Sequence, residues 1–323
     1  MRFSVVIPLY NKAPYVAKAI QSVLAQTFTD YELIVVDDGS KDESFSVALK
    51  SIEGYGNCRI YKQKNGGVSV ARNRGVQLSQ GGYLCFLDAD DWWEPTFLEE
   101  MSKLIEEYPE AGIYGTNYTI VNEAKHKTRV APVAVESGFE RGYINYCQVY
   151  AKCLAMPLWT GAVCIPRSVF DETEGFPQGI KLGEDFLLWI RIALKHKVVF
   201  LNKALAYYNQ DVEAANRGVG RLHKPEEHML WNLAELEPLE QTDPGYKQLV
   251  DNLRTYSLLP YYLSATYRDY AQRELDKVDW ERQPFSTWYC YHQPMWMLRC
   301  ASKLKNTGSK LKQRIRSKYN LVE

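Results

Sequence analysis

The chain has 323 residues, of which 46% are hydrophobic and 24% charged, values that belong to a folded chain with a sizeable core and exclude a disordered or low-complexity one. Its formal net charge of zero hides an asymmetry: nine Lys or Arg and no acidic residue lie between Arg282 and Val322, leaving 30 basic against 38 acidic residues before position 282. A basic excess confined to one terminus, with no recognition motif beside it, argues against a nucleic-acid partner. The seven cysteines form no CxxC pair and are odd in number, so they read as reduced and mostly buried. No stretch approaches the 18 apolar residues of a membrane span, and the start is too short an apolar run for a signal peptide, so a cytoplasmic location is expected.

Strand and helix signals alternate through the first third. Phe3 to Ile7 is a β-rich run ended by Pro8, and Val16, Ala19, Ile20, Val23 and Leu24 recur at helical spacing. A second strand, Glu32 to Val36, stops at Asp37-Asp38-Gly39-Ser40. Ser40 with Glu43 predicts a capping box for a helix through Ile52. Arg59 to Tyr61 predicts a third strand, and Gly66-Gly67 leads into a helix over Val68 to Leu78. Tyr83 to Leu87 predicts a strand ending at Asp88-Ala89-Asp90-Asp91, followed by a helix from Thr96 to Glu107 and a strand from Ala111 to Thr116. Such a rhythm predicts an α/β fold with a mostly parallel sheet flanked by helices, which binds ligands beyond the carboxyl ends of its strands. Every polar cluster named above falls at that edge.

Beyond it, Lys125 to Gly142 reads as loop, Thr160 to Ile165 as a strand closed by Pro166, and Gly183-Glu184-Asp185 as the entry to an amphipathic helix. Val198 to Leu201 and Leu205 to Tyr208 read as two short strands, Gln210 to Lys224 as a mobile polar loop, and Pro225 onward as helical. Two catalytic halves, residues 1–115 and 116–224, and a helical C-terminal region, 225–323, are expected.

Asp88, Asp90 and Asp91 are either a solvated turn with a capping aspartate or a site for a hard divalent cation, since three carboxylates repel one another without one. Asp37 and Asp38 end a second strand, where a metal site is one reading and a carboxylate accepting from a base N–H or a ribose hydroxyl the better one. Arg72 is either a phosphate or base contact or a solvated helix charge. Glu184 and Asp185 are either a helix cap or the carboxylates that take a proton from an incoming hydroxyl. No GxGxxG or GxxxxGK[ST] follows the first strand, where Pro8-Leu9-Tyr10-Asn11 stands instead, which disfavours dinucleotide and P-loop folds. Twenty-three tyrosines and eight tryptophans, side chains with one wet end, suit clefts and interfaces.

Taken together, Val5-Val6-Ile7-Pro8-Leu9-Tyr10-Asn11, Gln26-Thr27-Phe28, Glu32-Leu33-Ile34-Val35-Val36-Asp37-Asp38-Gly39-Ser40, Ala71-Arg72-Asn73-Arg74-Gly75, Phe86-Leu87-Asp88-Ala89-Asp90-Asp91 and Gly183-Glu184-Asp185 resemble family 2 of the inverting nucleotide-sugar glycosyltransferases, of GT-A type fold. The resemblance spans residues 1 to about 210. It implies a nucleoside-diphosphate sugar donor, UDP-linked in most such proteins, with Mn²⁺ or Mg²⁺. Pro8, Tyr10, Asp37, Asp38 and Arg72 would then hold the nucleotide, with Asp88 and Asp90 beside the ribose and metal network. Asp91 would be the main metal ligand, with Asp90 beside it and His223 as a late metal or diphosphate contact. Asp185 matches the catalytic base with Glu184 as neighbour, and Trp159, Thr160 and Gly161 fall where acceptor walls are built.

No QxxRW motif is present, as Gln210 is followed by Asp211, Val212 and Glu213, so a single sugar per encounter is expected. The acceptor implied is a saccharide or lipid-linked saccharide, as in bacterial surface polysaccharide assembly. Trp288, Tyr289, Tyr291, Trp296 and Met297, followed by Arg299, Lys303, Lys305, Lys310, Lys312, Arg314, Arg316 and Lys318, suggest an anionic membrane surface. The helical C-terminal region also offers a face for a homodimer. A nucleotidyltransferase on a related scaffold and an inactive nucleotide-binding scaffold are the competing readings. The first lacks a glycine-rich, basic loop for triphosphate, and the second is at odds with the intact carboxylates.

Overall fold

The computed structural model describes residues 2–122, 126–211 and 222–298. Most of the expected 210–224 loop and the basic tail from Arg299 on lie outside the described residues. By contact pattern the chain forms two compact units, residues 1–249 and 250–323.

The first unit is built on one mixed sheet. Strands β1 (Phe3–Leu9), β2 (Tyr31–Asp37), β3 (Cys58–Lys62) and β4 (Tyr83–Phe86) lie in the order β3-β2-β1-β4, all parallel. Helices α1 (Val16–Leu24), α2 (Ser44–Ser51) and α3 (Val68–Leu78) make the crossovers. All seven residues of β1 and of β2 are buried, as expected for parallel strands covered on both faces. Phe3, Val5, Ile7 and Leu9 alternate into a core shared with Val16, Ala19, Ile20 and Val23 of α1. On the other face α3 approaches so closely that a Cβ on Gly75 would lie 2.3 Å from Val6 Cγ1. Pro8 does not end β1. The Val6 carbonyl accepts from Leu87 N–H, so strand alternation points the absent Pro8 donor to the same side, past the last residue of β4, where no ladder acceptor waits.

Past β4 the sheet changes character. β5 (Trp92–Trp93) and α4 (Phe97–Glu107) precede a long β6 (Ala111–Asn122), then β7 (Lys127–Val130), β8 (Arg141–Ile144), α5 (Tyr146–Cys153), β9 (Val163–Pro166), α6 (Arg167–Glu172), α7 (Glu184–Lys195) and β10 (Lys197–Asn209). β9 inserts antiparallel between β4 and β6, while β10 runs parallel to β6. Several expectations are corrected here. The loop-rich stretch contains β7 and β8, paired to β6 and β10. The two short strands after α7 are one strand, β10, with register shifts near Leu201 and Ala204 that a period-2 reading mistakes for a break. Thr160–Ala162 is a 3₁₀ turn, so the strand starts only at Val163. No capping box forms before α2. Ser40 Oγ instead accepts from Asn11 N–H (3.1 Å), and Ser44 Oγ from Lys12 N–H (2.7 Å), because these hydroxyls brace the neighbouring loop.

The stretch expected to be helical from Pro225 begins with 3₁₀ segments within 225–241, and α8 (Pro244–Ser257) follows. The second unit continues with α9 (Leu259–Leu263), α10 (Arg268–Leu275) and α11 (Phe285–Tyr291). Fully buried Arg254 pairs there with Asp251 (3.4 Å) and Glu274 (3.2 Å), and Tyr291 Oη donates to the Thr255 carbonyl at 2.7 Å. Among the described residues no helix is long and apolar enough to cross a membrane, and the six described cysteines are free.

At the amino end of the parallel strands one carboxylate ties four segments together. Glu32 of β2 is fully buried and accepts from Ser4 Oγ of β1 (2.7 Å), Gly81 N–H (3.1 Å) and Gln80 N–H, and pairs with Arg59 of β3. Burial alone would raise its pKa, but the Gln80 N–H, the Ser4 hydroxyl, Arg59 and the Gly81 N–H outweigh it and hold the carboxyl below its ordinary value. A group shifted downward contributes stability above its unfolded pKa, and that contribution is lost as pH falls. Glu32→Gln should therefore cost about 1.5–3 kcal/mol in urea unfolding at pH 7, and the difference from wild type should shrink below about pH 4.5. A difference that is constant with pH would show that the ionised form is not what the network holds.

Candidate active site

The carboxyl ends of β1, β2 and β4 open onto a cavity of about 570 Å³. Pro8, Tyr10, Lys12, Asp38, Arg72, Asp88, Asp90 and Asp91 line it from the parallel half, and Met156, Trp159, Gly183, Glu184, Asp185 and Tyr208 from the other. Asp37, Thr160, Gly161 and His223 do not line it.

The loop after β1 is shaped by Asn11, whose φ of +49° places it in the left-handed region that Asn tolerates. Its side-chain oxygen accepts from Lys41 N–H at 2.8 Å, which locks this loop to the one after β2. Lys12 is thereby carried over the cavity, where its Nζ lies 2.6 Å from Asp90 Oδ2. Sequence reasoning missed Lys12, because nothing local signals a partner 78 positions away. Asp38 already accepts from Gln63 Nε2 and from the Gly66 and Gly67 N–H groups, each at 2.8 Å, and so shapes the glycine entry of α3. Asp37 is enclosed: Oδ1 accepts from Ser40 N–H at 3.3 Å, and Oδ2 has no hydrogen-bond partner among the described residues.

Arg72 does not reach into open cavity as a free phosphate hook. It is 3% exposed and forks between Asp88 (2.8 Å) and Glu184 (3.0 Å), with its guanidinium 4.9 Å from the centre of the Phe176 ring. Burial opposes its charge, but Asp88, Glu184 and Asp185 outweigh burial and push its pKa up. Glu184 thus faces the arginine. Its own pKa rises to about 7, through burial and the neighbouring Asp185 charge.

Asp185 Oδ2 accepts from Thr160 Oγ1 (2.8 Å) and Oδ1 from Phe186 N–H (2.9 Å). Burial raises its pKa, against the opposing pull of Arg72, Thr160 and the Phe186 N–H. The 3₁₀ turn that replaced the expected strand start is what presents Thr160 to this carboxylate. Trp159 stands between Tyr208 (ring centres 4.2 Å apart) and Tyr118 (5.7 Å) and donates its indole N–H to Asp91 Oδ2 at 3.3 Å. Gly161 lies behind it, its carbonyl accepting from Trp93 Nε1 at 2.6 Å. His223 is buried off the cavity wall, with Nδ1 4.0 Å from Glu227 Oε2.

Asp91 differs from its neighbours. It is 3% exposed and accepts from the Asn209 N–H (2.8 Å) and the Trp159 indole, both neutral donors. Burial and the charges of Asp90 and Asp88 push its pKa well above the ordinary range. Asp90 is also raised, by burial first, despite Lys12. Among the described residues no group of three or more metal-binding side chains encloses an ion. A divalent cation that takes one or two carboxylates and completes its shell from phosphate oxygens and water does not need such a cage, so Asp91 with Asp90 fits it.

A family model described as glycosyl transferase family 2 matches residues 4–172. The chain belongs to glycosyl transferase family 2. An uncharacterized glycosyltransferase of Rickettsia felis is 34% identical over 209 residues, 64% of this chain but 32% of that protein, so the chain matches about a third of its relative's length. Among solved structures the fold is similar to S. aureus TarS 1–349 in complex with UDP-GlcNAc (TM-score 0.72, 19% identity, 87% of this chain and 82% of that one). It is also similar to the mannosyltransferase PcManGT from Pyrobaculum calidifontis in complex with GDP-Man and Mn²⁺ (TM-score 0.57, 16% identity, 96% and 80%). At these identities the likeness shows the fold alone, an α/β GT-A type arrangement.

The bridging role of Arg72 is open to direct measurement. Arg72→Gln should lower unfolding free energy by about 3–5 kcal/mol at pH 8, since it leaves Glu184 and the partly exposed Asp88 facing each other without their cation. The loss should shrink toward pH 6, where Glu184 protonates and sheds the charge that the arginine neutralised. A loss under about 1 kcal/mol at pH 8, the size of an exposed pair, would contradict a buried bridge.

Proposed function

We propose that this glycosyltransferase moves one sugar per encounter from a UDP-sugar to a hydroxyl of a saccharide or lipid-linked saccharide, with inversion at the sugar carbon. The observation that carries the reading is the pairing, in one cavity, of Asp91, buried without a cationic partner among the described residues, and Asp185, a carboxylate of raised pKa. The UDP-GlcNAc held by the TarS structure and the GDP-Man and Mn²⁺ held by the Pyrobaculum enzyme support a nucleotide-sugar donor and a metal.

Pro8, Tyr10 and Asp38 line the end of the cavity suited to the nucleoside, and the Lys12 ammonium is placed for the diphosphate. Mn²⁺ or Mg²⁺ held by Asp91 and Asp90 would supply Lewis-acid stabilisation of the departing diphosphate. Asp185 takes the proton of the acceptor hydroxyl as that oxygen bonds to the anomeric carbon; the bond from that carbon to the diphosphate oxygen breaks, and its electron pair leaves with the nucleoside diphosphate. Two of the Asp185 acceptor positions are occupied by Thr160 and Phe186, which fixes the carboxylate and leaves its remaining lone pairs for the proton. Trp159 and Tyr208 form the aromatic wall of the cavity against which an acceptor sugar would pack.

Calorimetric titration should show UDP binding that requires Mn²⁺, is weaker for GDP and dTDP, and vanishes in Asp91→Ala. Asp185→Asn should retain that affinity while kcat falls by about 10²–10⁴-fold. In wild type the acid limb of kcat/KM should lie above the ordinary carboxylate range, activity falling as Asp185 protonates. Failure of every nucleoside diphosphate to bind, with or without metal, would sink the transferase reading in favour of a scaffold.

A further inference from the structure

Helix α11 has its apolar stripe on the wrong side for a packed helix. Phe285, Trp288, Tyr289 and His292 follow the i, i+3, i+4, i+7 spacing that ordinarily marks the face turned to a core. Here that face is open: Phe285 is 74%, Trp288 38% and Tyr289 48% exposed, whereas Tyr291, off the stripe, is buried. The rings are ordered against each other, Phe285 with Trp288 at 5.9 Å and Trp288 with His292 at 4.4 Å, both stacked. Four residues after the stripe, Trp296 is 67% exposed, beside Met297.

Single exposed apolar residues are ordinary, but five large ones within 13 positions are not. Their chemistry also narrows the occupant. Trp and Tyr carry a polar tip on an apolar body and favour the headgroup boundary of a bilayer over a dry protein core. No acidic residue interrupts the chain from Arg282 to Val322, and eight Lys or Arg follow Leu298 directly. Aromatic insertion next to a run of cations is the pair of signals that holds a peripheral protein on an anionic surface, the charges attracting and the rings anchoring. A second copy of this chain would bring an equally basic segment against the patch, which charge repulsion opposes.

We infer that Phe285, Trp288, Tyr289 and Trp296 form a docking surface for an anionic lipid bilayer, with the basic segment after Leu298 supplying the electrostatic attraction. This goes beyond the catalytic reading and does not depend on it, since the residues are all in the second unit.

The test uses the full chain with vesicles of phosphatidylcholine alone and of phosphatidylcholine mixed with phosphatidylglycerol, read by co-sedimentation and by quenching of tryptophan fluorescence with brominated lipid. Binding and quenching are expected on the mixed vesicles only. Phe285→Ser with Trp288→Ser and Trp296→Ser should weaken binding at least about tenfold and abolish quenching, with circular dichroism and UDP affinity unchanged. Lys310→Gln with Lys312→Gln, Arg314→Gln and Arg316→Gln should weaken it at least about tenfold at low salt. Equal binding to neutral vesicles, full binding by the aromatic variant, or a concentration-dependent dimer that the aromatic variant abolishes would each overturn the inference. The last outcome would assign the patch to a second copy. Retained UDP affinity in a chain that ignores vesicles would separate failure here from failure of the transferase reading.

Discussion

The arrangement of the cavity depends on a single buried guanidinium. Arg72 rises from α3 and divides its two terminal nitrogens between Asp88, at the end of β4, and Glu184, at the start of α7. Those carboxylates come from segments 96 positions apart and would repel each other if brought together unaided. The arginine makes their approach favourable, and in doing so sets α7, and with it Asp185, against the strand ends of the parallel half. Gly75, three residues further along α3, lets that helix lie close enough on β1 for the fork to reach.

Charge balance is what favours the proposed cation together with an anionic ligand. Six carboxylates line the cavity, from Asp38, Asp88, Asp90, Asp91, Glu184 and Asp185, against the cations of Arg72, Lys12 and Lys181, the last paired with Glu227. Arg72 is enclosed by its two partners and Lys12 is paired with Asp90, so Asp91 is left with neutral donors. A diphosphate entering such a site alone would meet excess negative charge. Arriving with the proposed divalent ion, it would relieve the repulsion that Asp90 and Asp88 impose on Asp91. Glu32 differs in both depth of burial and donors. It too is closed to solvent, but its desolvation is smaller and hydroxyl, amide and guanidinium donors outweigh it, so its pKa moves down. Asp91 has fewer donors and two acidic neighbours, and its pKa moves up.

The parts of the structure that sequence reasoning found are those built from local signals. The alternation of apolar runs and helical spacing located α3 over Val68–Leu78 and every strand of the parallel half to within a residue or two. Where reasoning failed, a distant partner had overridden a local preference. Ser40 and Glu43 have the spacing of a capping box, but Ser40 turns to Asn11, because the loops after β1 and β2 meet only in the folded sheet. β7 and β8 are short, exposed strands whose ladders lie entirely with β6 and β10, so they have no strong pattern of their own.

The acidic clusters at the strand ends, the Gly183-Glu184-Asp185 helix entry and the aromatic-then-basic C-terminus were determined by sequence alone, because each is a property of neighbouring residues in one strand, turn or helix. The tertiary structure decided which carboxylate has which partner: Asp90 with Lys12, Asp88 and Glu184 with Arg72, Asp185 with Thr160, Asp91 with no cation among the described residues. It also decided that the apolar stripe of α11 faces outward. These are pairings across tens of residues, set by how the sheet and helices close on one another, and neither periodicity nor spacing along the chain carries that information.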